Sequence, residues 1–216
     1  MRILAFDCAG AQCAAALLSD GLVLAEKRID SDRGHAQLLM PLLVELTDAA
    51  GIKFGDLDRF AVTTGPGSFT GIRVALAAAH GLALGTGKPV VGVSAFDVLA
   101  AQAVGAGIPA PRLVVAIDSR RAELFVQRFD RTGRPESEPT MLAPEAVADW
   151  AGPGPLALAG DGAAQLAPHL QDAVEADLPT RTDPAVLARL AAQREAGSPP
   201  APFYLRPPDA TPARRR

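Results

Sequence analysis

Cysteine and histidine are scarce in this 216-residue chain, with two of the first and three of the second. Four residues separate Cys8 from Cys13, a spacing that is neither a CxxC redox pair nor a zinc half-site. Both read as small buried hydrophobes on strands. His35, His80 and His169 are scattered, and none sits in an HxxxH or HExxH pair, so the zinc-enzyme patterns are missing. Basic charge is not in excess either: the net charge is −3 and the pI about 5.6. Gripping nucleic acid unaided requires a basic surface, so that class is set aside. No apolar run approaches the roughly 20 residues needed to span a bilayer. The first ten residues pass straight into a strand pattern, without the charged start, apolar stretch and cleavage site of a leader. The expected location is the cytoplasm, with no membrane association.

What is present is globular. Apolar residues make up 49% and charged residues 21%, enough to bury a core in one large domain or two small lobes. The chain repeats itself once. Residues 2–7 form an apolar run ending in Asp7, followed by a short turn, a second apolar run and a third. Residues 112–118 repeat the run and its terminal aspartate, Asp118, again followed by a turn and a strand pattern. Helical and strand patterns then alternate. The spacing predicts helices over 34–50, 69–85, 94–104, 144–151, 161–170 and 184–196, with strands at 58–64, 89–93 and 156–159. The fold class is therefore α/β with two similar lobes, 1–106 and 107–216, and a Pro-rich tail from about 198 that packs through Phe203, Tyr204 and Leu205 before Arg214–Arg216.

The segment 63–73 is the most informative. Three glycines and a proline between Gly65 and Gly71 make a strand-to-helix turn where backbone must approach something closely. It satisfies neither GxxxxGK[ST] nor GxGxxG. Two readings stay open: an anion held at the helix start, with Gly67 and Ser68 at the turn and Arg73 one turn in, or a structural turn seating helix on sheet. Asp7 and Asp118 sit where phosphate-cradling turns begin in actin- and sugar-kinase-like ATPases. Here the first turn, Cys8–Ala11, offers no hydroxyl or basic side chain, and the second, Ser119–Ala122, is charged and has no glycine. Asp7 reads better as a capping residue, Asp161 as a turn residue, and His35 as a helix-start residue that caps or faces solvent.

Two helices carry more apolar surface than one buried face needs. Seven of the nine residues from Leu38 to Leu46 are apolar, covering roughly two-thirds of the helix circumference. Pro41 suggests a late start or a bend. The helix from Phe69 is rich in alanine and glycine, which allow close helix approach. A partner, the other lobe or the sheet could cover the excess.

The residues from Gly65 to Arg73, with Gly81–Gly85 behind them, are similar to a signature of the bacterial tRNA threonylcarbamoyladenosine biosynthesis family TsaB, also called YeaZ. Supporting matches are Ile3–Asp7, His35–Pro41, Val91–Ser94, Asp118–Glu123 and Tyr204–Arg206. The resemblance implies an actin-like ATPase (ASKHA) fold with two duplicated lobes, each a mixed sheet flanked by helices. It implies a non-catalytic subunit of the complex that forms N6-threonylcarbamoyladenosine at position 37 of tRNAs reading codons that start with A. It further implies pairing with the metal-carrying transferase TsaD, a ternary complex with the small ATPase TsaE, a homodimer when alone, and tRNA contact only through the complex. No cofactor is required, and ATP or ADP at the partner boundary stays open. The implied interface residues are His35, Leu38, Leu39, Leu42, Leu46, Arg73, Leu76, Ala78 and His80. The alternative is a stand-alone enzyme of the same fold, a small-molecule kinase or a peptidase.

Overall fold

Period-two alternation builds the first sheet. In β1 (Arg2–Asp7), Leu4 and Phe6 point to one side and Ile3 and Ala5 to the other, and all four are buried. That pattern belongs to a strand covered on both faces. β1 pairs antiparallel with β2 (Gln12–Ser19), which pairs antiparallel with the edge strand β3 (Leu22–Asp30). On its other side β1 runs parallel to β4 (Arg59–Thr63), and β4 parallel to β5 (Val90–Val93), giving the order β3-β2-β1-β4-β5. The computed structural model describes residues 1–174 and 176–206. The expected Arg214–Arg216 end therefore lies outside the described residues.

The second sheet repeats most of the plan. β6 (Arg112–Asp118) pairs antiparallel with β7 (Leu124–Asp130) and parallel with β9 (Leu156–Ala159). β8 (Thr140–Leu142), a strand whose position the sequence pattern does not mark, adds to β7, and the order is β8-β7-β6-β9. This order matches β3-β2-β1-β4 without the fifth strand.

Helices cover both faces of each sheet. α1 (His35–Ala49) and α2 (Phe69–Thr86) lie on one face of the first sheet, burying Leu39, Leu42, Leu43 and Leu46 from α1 and Ile72, Ala75, Leu76 and Ala79 from α2. Each fully buried leucine contributes on the order of 1.5–3 kcal/mol. α3 (Ala95–Ala106) stands between the sheets, with Val98 in the core of the first and Phe96, Leu99 and Ala103 in the core of the second. α4 (Val147–Ala151) and α5 (Ala163–Leu166) close the far face of the second sheet. α6 (Pro184–Ala192) returns to the first sheet, burying Ala185, Leu187, Ala188 and Ala191 against Ile3, Ala5, Ala16 and Leu18. The starts follow local chemistry: Ser68, Ser94 and Asp183 each accept backbone N–H bonds as N-caps, and Pro184 takes the first helical position.

α6 packs on the first sheet, although it follows the second sheet in the chain. Two expectations are corrected. α1 begins at His35 and runs through Pro41, which stands on the exposed side. The helices expected at 144–151 and 161–170 are shorter, each broken by a 3-10 turn, Pro144–Ala146 and Ala167–His169. By length and composition α2 would be long and apolar enough to cross a membrane, but Arg73 and His80 interrupt it and one of its faces packs on the sheet.

The seating of α2 shows why this segment needs glycine. A Cβ on Gly71 would stand 1.8 Å from the Cys8 carbonyl oxygen, and one on Gly67 2.3 Å from that of Ala9. Gly81, by contrast, is exposed and a Cβ there meets nothing within 4 Å. Gly71→Ala is therefore expected to destabilise the fold by about 3 kcal/mol. Gly81→Ala should stabilise it by about 0.5–1 kcal/mol. Urea unfolding of both variants measures the contrast.

Candidate functional site

The two sheets present their strand ends to a shared cleft of about 750 Å³. The first β-turn (Ala9, Gly10, Ala11), the α2 start (Gly67, Ser68, Phe69), the second turn (Asp118–Arg121), Asp161 and the 180–182 segment line it. Phe203 to Arg206 complete the wall. Asp7, the phosphate-turn candidate that reads better as a capping residue, is not among the residues lining it.

Asp7 is fully buried and its two oxygens are occupied. The Ala9 N–H donates to Oδ1 at 2.9 Å, and the Thr63 hydroxyl donates to the same oxygen. Oδ2 accepts from Gln12 Nε2 at 3.2 Å and from the Thr182 hydroxyl. Gln12 also donates to the Thr182 carbonyl at 2.9 Å and accepts from Arg28 Nη1 at 2.9 Å. A carboxylate so engaged has no oxygen to offer to a metal-bound water. The α2 start is equally engaged. The Ser68 N–H donates to the Ala9 carbonyl at 2.7 Å, and Ser68 Oγ accepts from the Gly71 N–H at 3.2 Å. A backbone carbonyl thus sits where an anion would have to bind. These residues do not fit the metal-bound phosphate that turns of this kind hold in the ATPases.

The second turn repeats the device. Gly162 N–H donates to the Ala116 carbonyl at 3.1 Å, and a Cβ on Gly160 would lie 2.0 Å from that oxygen. Asp161 Oδ1 accepts the Asp118 N–H at 2.8 Å. Asp118 Oδ1 accepts the Arg120 N–H at 2.7 Å, closing a local turn, with Arg120 at φ 61°. The Arg120 guanidinium lies 3.8 Å from both Asp118 and Asp32, spanning the cleft. At the mouth, the Phe69 and Tyr204 rings stack 4.9 Å apart, Arg73 lies 3.9 Å over Phe69, and Arg73 Nε donates to the Tyr204 hydroxyl at 3.0 Å.

The expected interface residues divide. Leu39, Leu42, Leu46 and Leu76 are buried in the sheet's own core, and His35 is buried at the start of α1. For the leucines the reason is register, since they form the stripe facing the sheet. His35 neither caps nor faces solvent; its Nε2 is buried and finds no hydrogen-bond partner among the described residues. Leu38 and Ala78 are half-buried, and Arg73 and His80 are exposed. The exposed large apolar residues on these helices are Met40, Val44, Phe69 and Leu84, the last 90% exposed. Gln12, Thr63 and Thr182 were not singled out from the sequence. Only the Thr-Asp-Pro helix-start pattern at 182–184 carries a local signal. Among the described residues no three His, Cys, Asp or Glu side chains converge to hold a metal.

The family model for TsaD, tRNA N6-adenosine threonylcarbamoyltransferase, matches residues 23–185. A crystal structure from Pseudomonas aeruginosa, described as an uncharacterized protein with similarity to peptidase YeaZ, is 33% identical, with a TM-score of 0.80 over 95% of this chain and 99% of that one. The chain belongs to the TsaB/YeaZ family. Escherichia coli TsaB, a tRNA threonylcarbamoyladenosine biosynthesis protein, is 37% identical over 61% of this chain; the match spans 56% of that protein's length. An uncharacterized protein of Mycobacterium tuberculosis is 38% identical over 97% of this chain and 94% of its own. The family's fold is the actin-like ATPase fold. A Clostridium difficile activator of 2-hydroxyisocaproyl-CoA dehydratase, itself with bound ADPNP, shares it at TM-score 0.50 and 13% identity.

Burial holds the Asp161 carboxyl above its ordinary range; the Asp118 N–H opposes this and the Asp118 charge adds to it. The folded chain therefore binds this proton more tightly than the unfolded chain. The resulting stabilisation is complete below the ordinary aspartate pKa and is lost as pH rises through the raised value. Asp161→Asn keeps the acceptor for the Asp118 N–H and removes the titration. Melting temperatures from pH 4 to 8 should show the variant gaining on the parent as pH rises, and a constant difference would contradict this.

Proposed function

We propose that this chain is a non-catalytic subunit in the formation of N6-threonylcarbamoyladenosine at position 37 of tRNA, acting in the cytoplasm by pairing with a TsaD-type transferase. The observation that carries the proposal is the apolar face left on α1 and α2, where Leu84 is 90%, Val44 42% and Met40 38% exposed. Small exposed residues, Ala77, Gly81 and Gly85, lie along the same helix and allow a partner helix to come close. Patches of this kind mark association sites. Kinship supports the choice of partner. A tRNA N6-adenosine threonylcarbamoyltransferase of Solidesulfovibrio magneticus is 37% identical over 44% of this chain and 26% of its own length. The partner is thus a relative of the same ancestry, suited to pack helix pair on helix pair.

The half-buried Leu38 and Ala78 and the exposed Arg73 and His80 frame this face, and Leu39, Leu42, Leu46, Leu76 and His35 support it from beneath. The interface buries on the order of 1,200–2,000 Å². A TsaE-type ATPase joins the pair, a second copy of this chain covers the face when the transferase is missing, and tRNA is met through the complex. The engagement of Asp7 by protein donors supports assigning the chemistry to the partner, with any nucleotide at the boundary between them.

Val44→Asp and Leu84→Asp place a charge on the outer face and should abolish pairing while leaving the melting temperature nearly unchanged. Leu42→Asp, buried in the core, should instead unfold the chain. Size-exclusion chromatography of each variant with the transferase reads the outcome, and an intact complex with both outer-face variants would reject the assigned surface.

A further inference from the structure

Cys8 and Cys13 occupy facing positions at the end of the β1–β2 hairpin. The register that pairs Arg2 with Ser19 and Asp7 with Ala14 places them opposite one another at its next step. Directly opposed residues in an antiparallel pair have Cα atoms about 4.5–5.5 Å apart, within the range a disulfide spans. Both side chains point to the α1–α2 side of the sheet, in one core cluster. Their Sγ atoms lie 3.4 Å apart, and both thiols are free and buried. They adjoin the root of α2, where the Cys8 carbonyl lies against Gly71 and the Ala9 carbonyl accepts the Ser68 N–H. No part of the proposed function uses them.

We infer that Cys8 and Cys13 are a redox-responsive dithiol that closes to an intramolecular disulfide when a peroxide is the oxidant. The Cys13 thiolate attacks one peroxide oxygen. The O–O bond breaks, an S–O bond forms, and the departing hydroxide takes up a proton to become water. The Cys8 sulfur then attacks the Cys13 sulfur. The S–S bond forms as the S–O bond breaks, and the Cys8 proton leaves with that oxygen as a second water. The two thiols lose two electrons and the peroxide gains them. Either thiol can donate in the 3.4 Å contact, so the same disulfide and the same two waters result when the two sulfurs exchange roles. In a reducing compartment such a bond is transient and reports oxidant.

The test uses the full reduced chain, treated with hydrogen peroxide, quenched with an alkylating agent in denaturant, and examined by intact and peptide mass spectrometry. The expected result is a monomer lighter by two hydrogen atoms, unalkylated, yielding a linked Cys8–Cys13 peptide. Its melting temperature should be raised by several degrees, and dithiothreitol should reverse both changes. Cys13→Ser should stop the crosslink, leaving Cys8 alkylatable. Thiols that remain fully alkylatable at peroxide doses that oxidise the unfolded chain would overturn the inference, as would oxygen addition without a crosslink or disulfides between chains.

Discussion

One buried carboxylate holds together the parts on which everything else stands. Asp7 ends β1 and takes hydrogen bonds from the turn after it, from β2, from β4 and from Thr182 just ahead of α6. An isolated charge in that position would be strongly unfavourable, and several converging donors are the usual remedy. The consequence is topological as well as energetic. Asp7 and Thr182 are 175 positions apart, so the same group that closes the first turn fixes where the last helix meets the first sheet.

The same arrangement turns the polar groups at the head of the cleft toward protein partners. Where a phosphate would need free N–H groups, Ser68 donates to the Ala9 carbonyl, and glycines at 67 and 71 let backbone meet backbone. The second lobe does likewise with Gly160, Asp161 and Gly162 around Ala116 and Asp118. The duplication thus shows in both turns as well as in the strand order. What distinguishes the first lobe is the pair α1 and α2, whose inner stripes hold the sheet and whose outer sides expose Met40, Val44 and Leu84.

Much of this was legible in the sequence. The apolar runs at residues 2–7 and 112–118, each ending in an aspartate, marked the central strands, and the glycine run after Thr63 marked the seat of a helix. The same helix periodicity separates core from surface: Leu39, Leu42, Leu43 and Leu46 follow the i, i+3, i+4, i+7 rule and face the sheet, and Met40 and Val44 fall between them. Counting apolar residues without following that stripe assigns the buried leucines to an interface. The Asp7 network was not legible, because Gln12 and Thr182 meet only after the chain has folded. Nor does the cysteine spacing suggest contact until the hairpin register is known.

Hydrogen–deuterium exchange of the chain with and without a TsaD-type transferase addresses the central claim most directly. Slowed exchange confined to α1 and α2, with the turns at 8–11 and 119–122 unchanged, is the result expected of a subunit that works through its outer helix face. Protection confined to those turns, with both helices exchanging as in the free chain, would contradict it.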